Sequence, residues 1–181
     1  MNRLLETKVE VIDRQCFLRL LYVDVICALE SYLSGRFISS INANPSLLRR
    51  FVETTPYSQA QKVPLSDIFK TKDEIEQRVK MYLSEFVWHR LDRVGPMFQD
   101  TLGVRFPSDM KELFKAILWR HDFVHRSGRT MNGEDHILDE HDIENLVKAV
   151  ESFVSYVEPP QPEVEETVYA LAARESVNLQ A

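Results

Sequence analysis

Four stretches of this chain repeat their apolar residues at the period of an α-helix, and none alternates them at the period of a strand. That pattern restricts the fold to helix packed on helix. The first stretch, "EVIDRQCFLRLLYVDVICALESYLSG", is apolar on most sides and predicts a long, largely buried helix ended by Gly35. The second, "KDEIEQRVKMYLSEFVWHRLDRVG", places Ile75, Val79, Tyr82, Leu83, Phe86 and Leu91 at helical spacing, with Gly95-Pro96 as its stop. The third, "PSDMKELFKAILWRHDFVHRSG", predicts a helix capped by Ser108 or Asp109 in a capping box with Glu112 and stopped by Gly128. The fourth, "DEHDIENLVKAVESFVSYVEPP", carries Ile143, Leu146, Val147, Val150, Phe153, Val154 and Val157 on one face, with Asp139 as cap and Pro159 as terminator.

Between the first two, residues 39–71 hold three prolines and many turn formers, which predicts short helical turns joined by loops. Asn132-Gly133 marks a turn with no hairpin pattern around it. After Pro159 the chain is proline-led and acidic. It reads as a tail, residues 159–181, with at most one short helix around 165–175. The organisation expected is therefore all-α: an antiparallel bundle of about four main helices over residues 1–158, followed by that tail.

Composition narrows the class further. With 181 residues, 44% of them hydrophobic and 28% charged, the chain suits one core built without disulfides or metals. No apolar run approaches the ~20 residues of a membrane span, and the mixed charges of "MNRLLETKVEVIDRQ" do not form a signal peptide. A cytoplasmic location and no membrane partner are expected. Cys16 and Cys27 lie eleven positions apart in one helix, roughly 16 Å, too far to bridge, and are expected as buried free thiols.

The net charge of −6 is unevenly spread. Residues 105–129 carry six Lys/Arg against three Asp/Glu, whereas residues 130–181 carry two against twelve. The basic island ends in "RHDFVHRSGR", residues 120–129. At ~100° per residue the third helix has one apolar stripe through Met110, Leu113, Phe114, Ile117 and Leu118, running on into His121, Val124 and His125. Trp119 and Phe123 point the other way, which predicts a second copy of the chain packed there in a two-fold dimer.

Paired copies of Arg120, His121 and His125 in one cleft suit phosphate. The arginine fork grips phosphate oxygens, and histidine takes and returns a proton near neutral pH. Together such groups cleave RNA without a metal or cofactor, through attack by a ribose 2′-hydroxyl. Arg126 and Arg129 are candidates for binding the substrate. Asp24, Glu30 and Asp122 are candidates for orienting the site, with an ordinary salt bridge as the alternative for Asp24 and Glu30. An Arg and two His in a last turn also complement the helix dipole with no chemistry at all. His121 and His125 at i, i+4 lack the rest of a zinc signature, so no metal is expected. His89, His136 and His141 read as isolated surface or loop residues.

At these residues the sequence resembles the HEPN superfamily, whose mark is an Arg and a His separated by four to six residues late in a helical bundle. Here the match is Arg120-His121-Asp122-Phe123-Val124-His125, set among "ALESYLSG", "VWHRLDRVG" and a closing amphipathic helix. It looks like bacterial stand-alone HEPN proteins over roughly residues 10–157. The resemblance implies a homodimer with the motif at its interface and, in active members, a metal-independent endoribonuclease leaving a 2′,3′-cyclic phosphate. It makes Arg120 and His125 the catalytic pair and His121 the supporting polar residue. Such proteins act as toxins or in antiphage defence, cutting tRNA, mRNA or other RNA under control of an antitoxin or defence partner. The alternative is a non-catalytic HEPN module that binds nucleotide, RNA or protein within a larger assembly. Members controlled by nucleotide transfer carry Tyr two residues after the motif His, where this chain has Ser127, so that form of control is not implied.

Overall fold

A computed structural model describes residues 11–158. The tail from residue 159, with Pro159 and the expected helix at 165–175, lies outside the described residues. The described chain is all-α, with α1 (Val11–Ala43), α2 (Pro45–Thr54), α3 (Pro56–Gln59), a 3-10 turn (Leu65–Asp67), α4 (Ile68–Ser84), α5 (Leu91–Leu102), α6 (Lys111–His125) and α7 (Glu140–Val157). One antiparallel bridge, Arg129 to Asp135, closes a tight turn where no hairpin was expected, with Gly133 at φ +84°.

α1 is the organising helix and packs against α2, α4, α5, α6 and α7. Its buried residues Leu18, Tyr22, Val25, Ile26, Leu29, Leu33, Phe37 and Ile41 recur every three or four positions, so one stripe serves all those neighbours. The helix does not stop at Gly35. A helical glycine costs only about 1 kcal/mol, while Phe37 and Ile41 beyond it are fully buried. α1 ends only where Asn44 caps α2, its side chain accepting the Ser46 N–H at 2.9 Å.

The second expected helix is two helices. The chain leaves the helix after Ser84, folds Trp88 into the core against Phe37 and Phe86 at 5.9 and 5.2 Å, and restarts at Leu91. Gly95 and Pro96 lie inside α5 instead of ending it. Pro96 forfeits one hydrogen bond to the preceding turn, and Gly95 lets the Phe106 ring lie against the helix backbone, where a Cβ would come within 3.3 Å of Phe106 Cδ2. The actual stop is Gly103 at φ +74°, whose N–H returns to the Gln99 carbonyl at 3.0 Å.

α7 follows the sequence closely: Asp139 and Asp142 form a reciprocal capping box, and Ile143, Leu146, Phe153 and Val157 are buried. The capping box expected for α6 does not form, because the helix begins at Lys111, behind Met110. Asp109 instead accepts the Lys111 N–H at 3.3 Å.

The buried residues fall into two groups. A large aromatic cluster surrounds Phe37, Phe51 and Phe98 and draws on α1, α2, α4, α5, α6 and α7. A smaller one gathers Leu18, Tyr22, Ile26, Leu138, Ile143 and Leu146, with Trp119 and Phe123 against it, beneath the end of α6.

Candidate active site at the end of α6

α6 is apolar on two sides, and the structure reverses the expected use of them. Trp119 and Phe123, expected to meet a partner subunit, pack inward on Tyr22 with ring centroids 5.9 and 5.3 Å away. Phe114, Leu118 and Val124 face outward, 40%, 68% and 48% exposed. Leu113 and Ala116 are buried, so the core face runs through them to Phe123, and the outward stripe runs from Phe114 to His121 and His125.

On that outward side the rings of His121 and His125 stand 4.7 Å apart, one turn from each other and both exposed. Arg126 reaches His121 Nδ1 at 3.4 Å and makes an ion pair with Asp122. Arg120 turns elsewhere. Five positions of helix separate it from His125 by about 140°, and its guanidinium sits 3.7 Å from Glu30 of α1. Glu30 also holds His89 Nδ1 at 3.0 Å, so one carboxylate restrains two motif-side groups. The Arg120 Nε is buried with no hydrogen-bond partner. Glu30 thus forms the salt bridge weighed for it, with Arg120 and His89 as its two partners.

Asp122, expected to orient the motif, points under it. Its carboxylate accepts from His136 Nε2 at 3.0 Å and from Arg126, and those two bonds, His136 first, hold its pKa below the usual carboxylate range. His136, expected to be a loop residue, is instead almost enclosed, with its ring 4.7 Å from Trp119 and 5.6 Å from Phe123. His89 likewise is no isolated surface group. His141 is a surface residue at 73% side-chain exposure, with Glu144 one turn on at 3.9 Å. Arg129 pairs loosely with Asp135 at 3.4 Å and stays exposed.

Asp24 does not face the interior. It lies with Cys16 and Leu20 at i, i+4, i+8 on the solvent side of α1, all three exposed. For the same reason Cys16 is not the buried thiol expected, and Cys27 is only partly covered.

α1 supplies the residues that sequence reading missed. Arg19 donates to the Ser127 carbonyl at 2.9 Å and the His136 carbonyl at 3.1 Å, clamping the loop that leaves α6. Gly128, at φ +84°, lies directly over that guanidinium, and a Cβ there would come within 2.4 Å of Arg19 Cζ. Ser127 itself is held at φ 54°, a left-handed conformation that side chains other than glycine rarely adopt. Gln15 makes a reciprocal pair with the Leu138 backbone, donating at 2.7 Å and accepting at 3.1 Å. Arg14 pairs with Glu140. The available signal was position: Arg14, Gln15 and Arg19 sit four, three and one places from buried Leu18, on or beside the core stripe where polar groups need partners.

Chemically, the site offers two exposed imidazoles, an adjacent guanidinium, and an arginine restrained on the neighbouring flank. Among the described residues no group of three or more His, Cys, Asp or Glu could hold a metal ion, and no helix is long and apolar enough to cross a membrane. Comparison with family models, with curated proteins and with solved structures finds no match. The resemblance to HEPN proteins thus rests on the motif and its helical setting.

Proposed function

We propose that this chain is a metal-independent endoribonuclease of HEPN type, a homodimeric helical bundle acting in the cytoplasm as a toxin or antiphage-defence effector. The observation that carries the reading is the exposed His121–His125 pair at the end of α6, with Arg126 against His121. Arg120 and His125 diverge on one helix, so the catalytic pair is composite. A second copy packed along Phe114, Leu118 and Val124 brings the Arg120 flank of one α6 toward the histidines of the other. An imidazole then takes the proton of a ribose 2′-hydroxyl, whose oxygen attacks the adjacent phosphorus. A second group returns a proton to the departing 5′-oxygen, and Arg120 neutralises charge on the phosphorane. The products are a 2′,3′-cyclic phosphate and a 5′-hydroxyl.

The purified protein should cut RNA in EDTA and leave the matching DNA intact. His125→Ala should lower the rate ~10²- to 10⁴-fold with helicity unchanged. Arg120→Lys keeps the charge, loses the fork, and should reduce turnover more than affinity. Wild-type rates in both variants, or strict dependence on an added divalent metal, would sink the reading.

One observation favours a second reading, a non-catalytic module binding nucleotide, RNA or protein within a defence or regulatory complex. Among the described residues no carboxylate orients His125, because Asp122 is committed to His136 and Arg126. RNA binding without cleavage by the wild type, weakened by Arg120→Lys, would select it.

A further inference from the structure

Where α4 ends at Ser84 and α5 restarts at Leu91, the chain sets His89 between two fixed points. Trp88 before it is buried against Phe37 and Phe86, and the His89 carbonyl accepts the Leu91 N–H at 2.9 Å. The ring is held as well. Glu30 of α1 places Oε1 3.0 Å from Nδ1, and because a carboxylate only accepts, Nδ1 carries the hydrogen. That leaves Nε2 as the nitrogen that takes or gives a proton. Nε2 makes no hydrogen bond among the described residues, and the side chain is 25% exposed.

The same Glu30 oxygen draws the Arg120 guanidinium to 3.7 Å, an ion pair longer than a hydrogen bond. A carboxylate, an oriented imidazole and a fork that grips phosphate thus meet from α1, the turn between α4 and α5, and α6. Of the five histidines no other has this setting. His136 meets Asp122 but is almost enclosed, and His121 and His141 come no nearer than 3.8 and 3.9 Å to a carboxylate. Among the described residues His125 meets none.

Cleavage by a ribose 2′-hydroxyl needs two proton transfers, one from the attacking oxygen and one to the departing oxygen. The exposed His125 suits the first. We propose that His89 performs the second: as the imidazolium, with Nδ1–H on Glu30, it gives the Nε2 proton to the 5′-oxygen beside Arg120. The 2′-oxygen gains the bond to phosphorus that the 5′-oxygen loses. The proton that His125 takes from the 2′-hydroxyl replaces, through solvent, the one His89 gives up. This inference rests on the ribonuclease reading of the site and assigns the group that releases the product.

The test compares two substrates in EDTA: RNA bearing the linkage that the wild type cuts, and the same RNA with sulfur in place of the 5′-oxygen there. Sulfur departs as a thiolate and needs no proton. His89→Ala should slow cleavage of the first ~10²- to 10⁴-fold and leave the second near the wild-type rate. His125→Ala should slow both. His89→Gln keeps an N–H for Glu30 but transfers no proton, so it should give the same contrast and separates lost chemistry from lost folding. Wild-type rates on ordinary RNA in both His89 variants, or an equal loss on both substrates, overturn the assignment and leave the ribonuclease reading standing. A wild type that cuts no RNA overturns both.

Discussion

The two ends of the core are built on different principles. The cluster around Phe37, Phe51 and Phe98 is held by aromatic rings with centroids 5.2 to 5.7 Å apart, and needs no polar contact to define it. The end beneath the candidate site has fewer apolar residues. Its loop is positioned by named hydrogen bonds, from Arg19, Gln15, Asp122 and His136. Apolar burial is non-directional and tolerates small shifts, whereas a hydrogen bond fixes both distance and angle. The first region therefore sets how stable the molecule is, and the second sets where the motif's side chains stand.

Phe98→Ala should cost the most, about 3–5 kcal/mol, because a fully buried ring leaves a cavity that its neighbours fill only partly. Urea denaturation reads this as a loss of global stability. Asp122→Ala should cost about 2–3 kcal/mol by stranding His136 and Arg126, with amide exchange rising over residues 126–138 well before the rest. Equal exchange across the whole chain would erase the distinction between the ends.

The same carboxylate gives the loop a pH dependence. Its folded pKa lies below the unfolded value near 4, so its contribution is present above about pH 4 and is lost as pH falls through the folded value. Asp122→Asn should remove that acid step from the exchange of residues 126–138, and an unchanged step would assign it to another group.

Gly128→Ala should cost about 1–3 kcal/mol, since it combines a left-handed backbone with a Cβ directed into the Arg19 guanidinium. Adding Arg19→Ala should make the pair less than additive in urea melts. Smallest of all, Ser127→Gly should stabilise by up to about 1 kcal/mol, by relieving the strain at φ 54°.

The sequence is legible where one face of a helix is apolar and the other polar, as in α7 with its Asp139 cap. It misleads where the apolar pattern is two-sided. α6 carries Phe114 and Leu118 on one flank and Trp119 and Phe123 on another, and periodicity cannot tell which one the rest of the chain covers. Tyr22, almost a hundred residues earlier, decides it. Gly35 and Gly95-Pro96 misled for a second reason: local breakers cost a few kcal/mol at most, and burial of Phe37 and contact with Phe106 outweigh them. The Arg120-to-His125 spacing was visible at once. Glu30, His89, Arg19 and His136 converge on it only through tertiary contacts, which no local window contains.

The clamp on the loop after α6 joins residues far apart along the chain: Arg19 and Ser127 are 108 positions apart, Gln15 and Leu138 are 123. Contacts of such separation form late in folding, because the chain must close a very long loop before they return any free energy. Synthesis delivers α1, α2, α4 and α5 before the residues of this loop, although the aromatic core also takes Leu113 from α6 and Phe153 and Val157 from α7. The clamp thus needs residues from both ends of the described chain, and a chain interrupted before Leu138 lacks it.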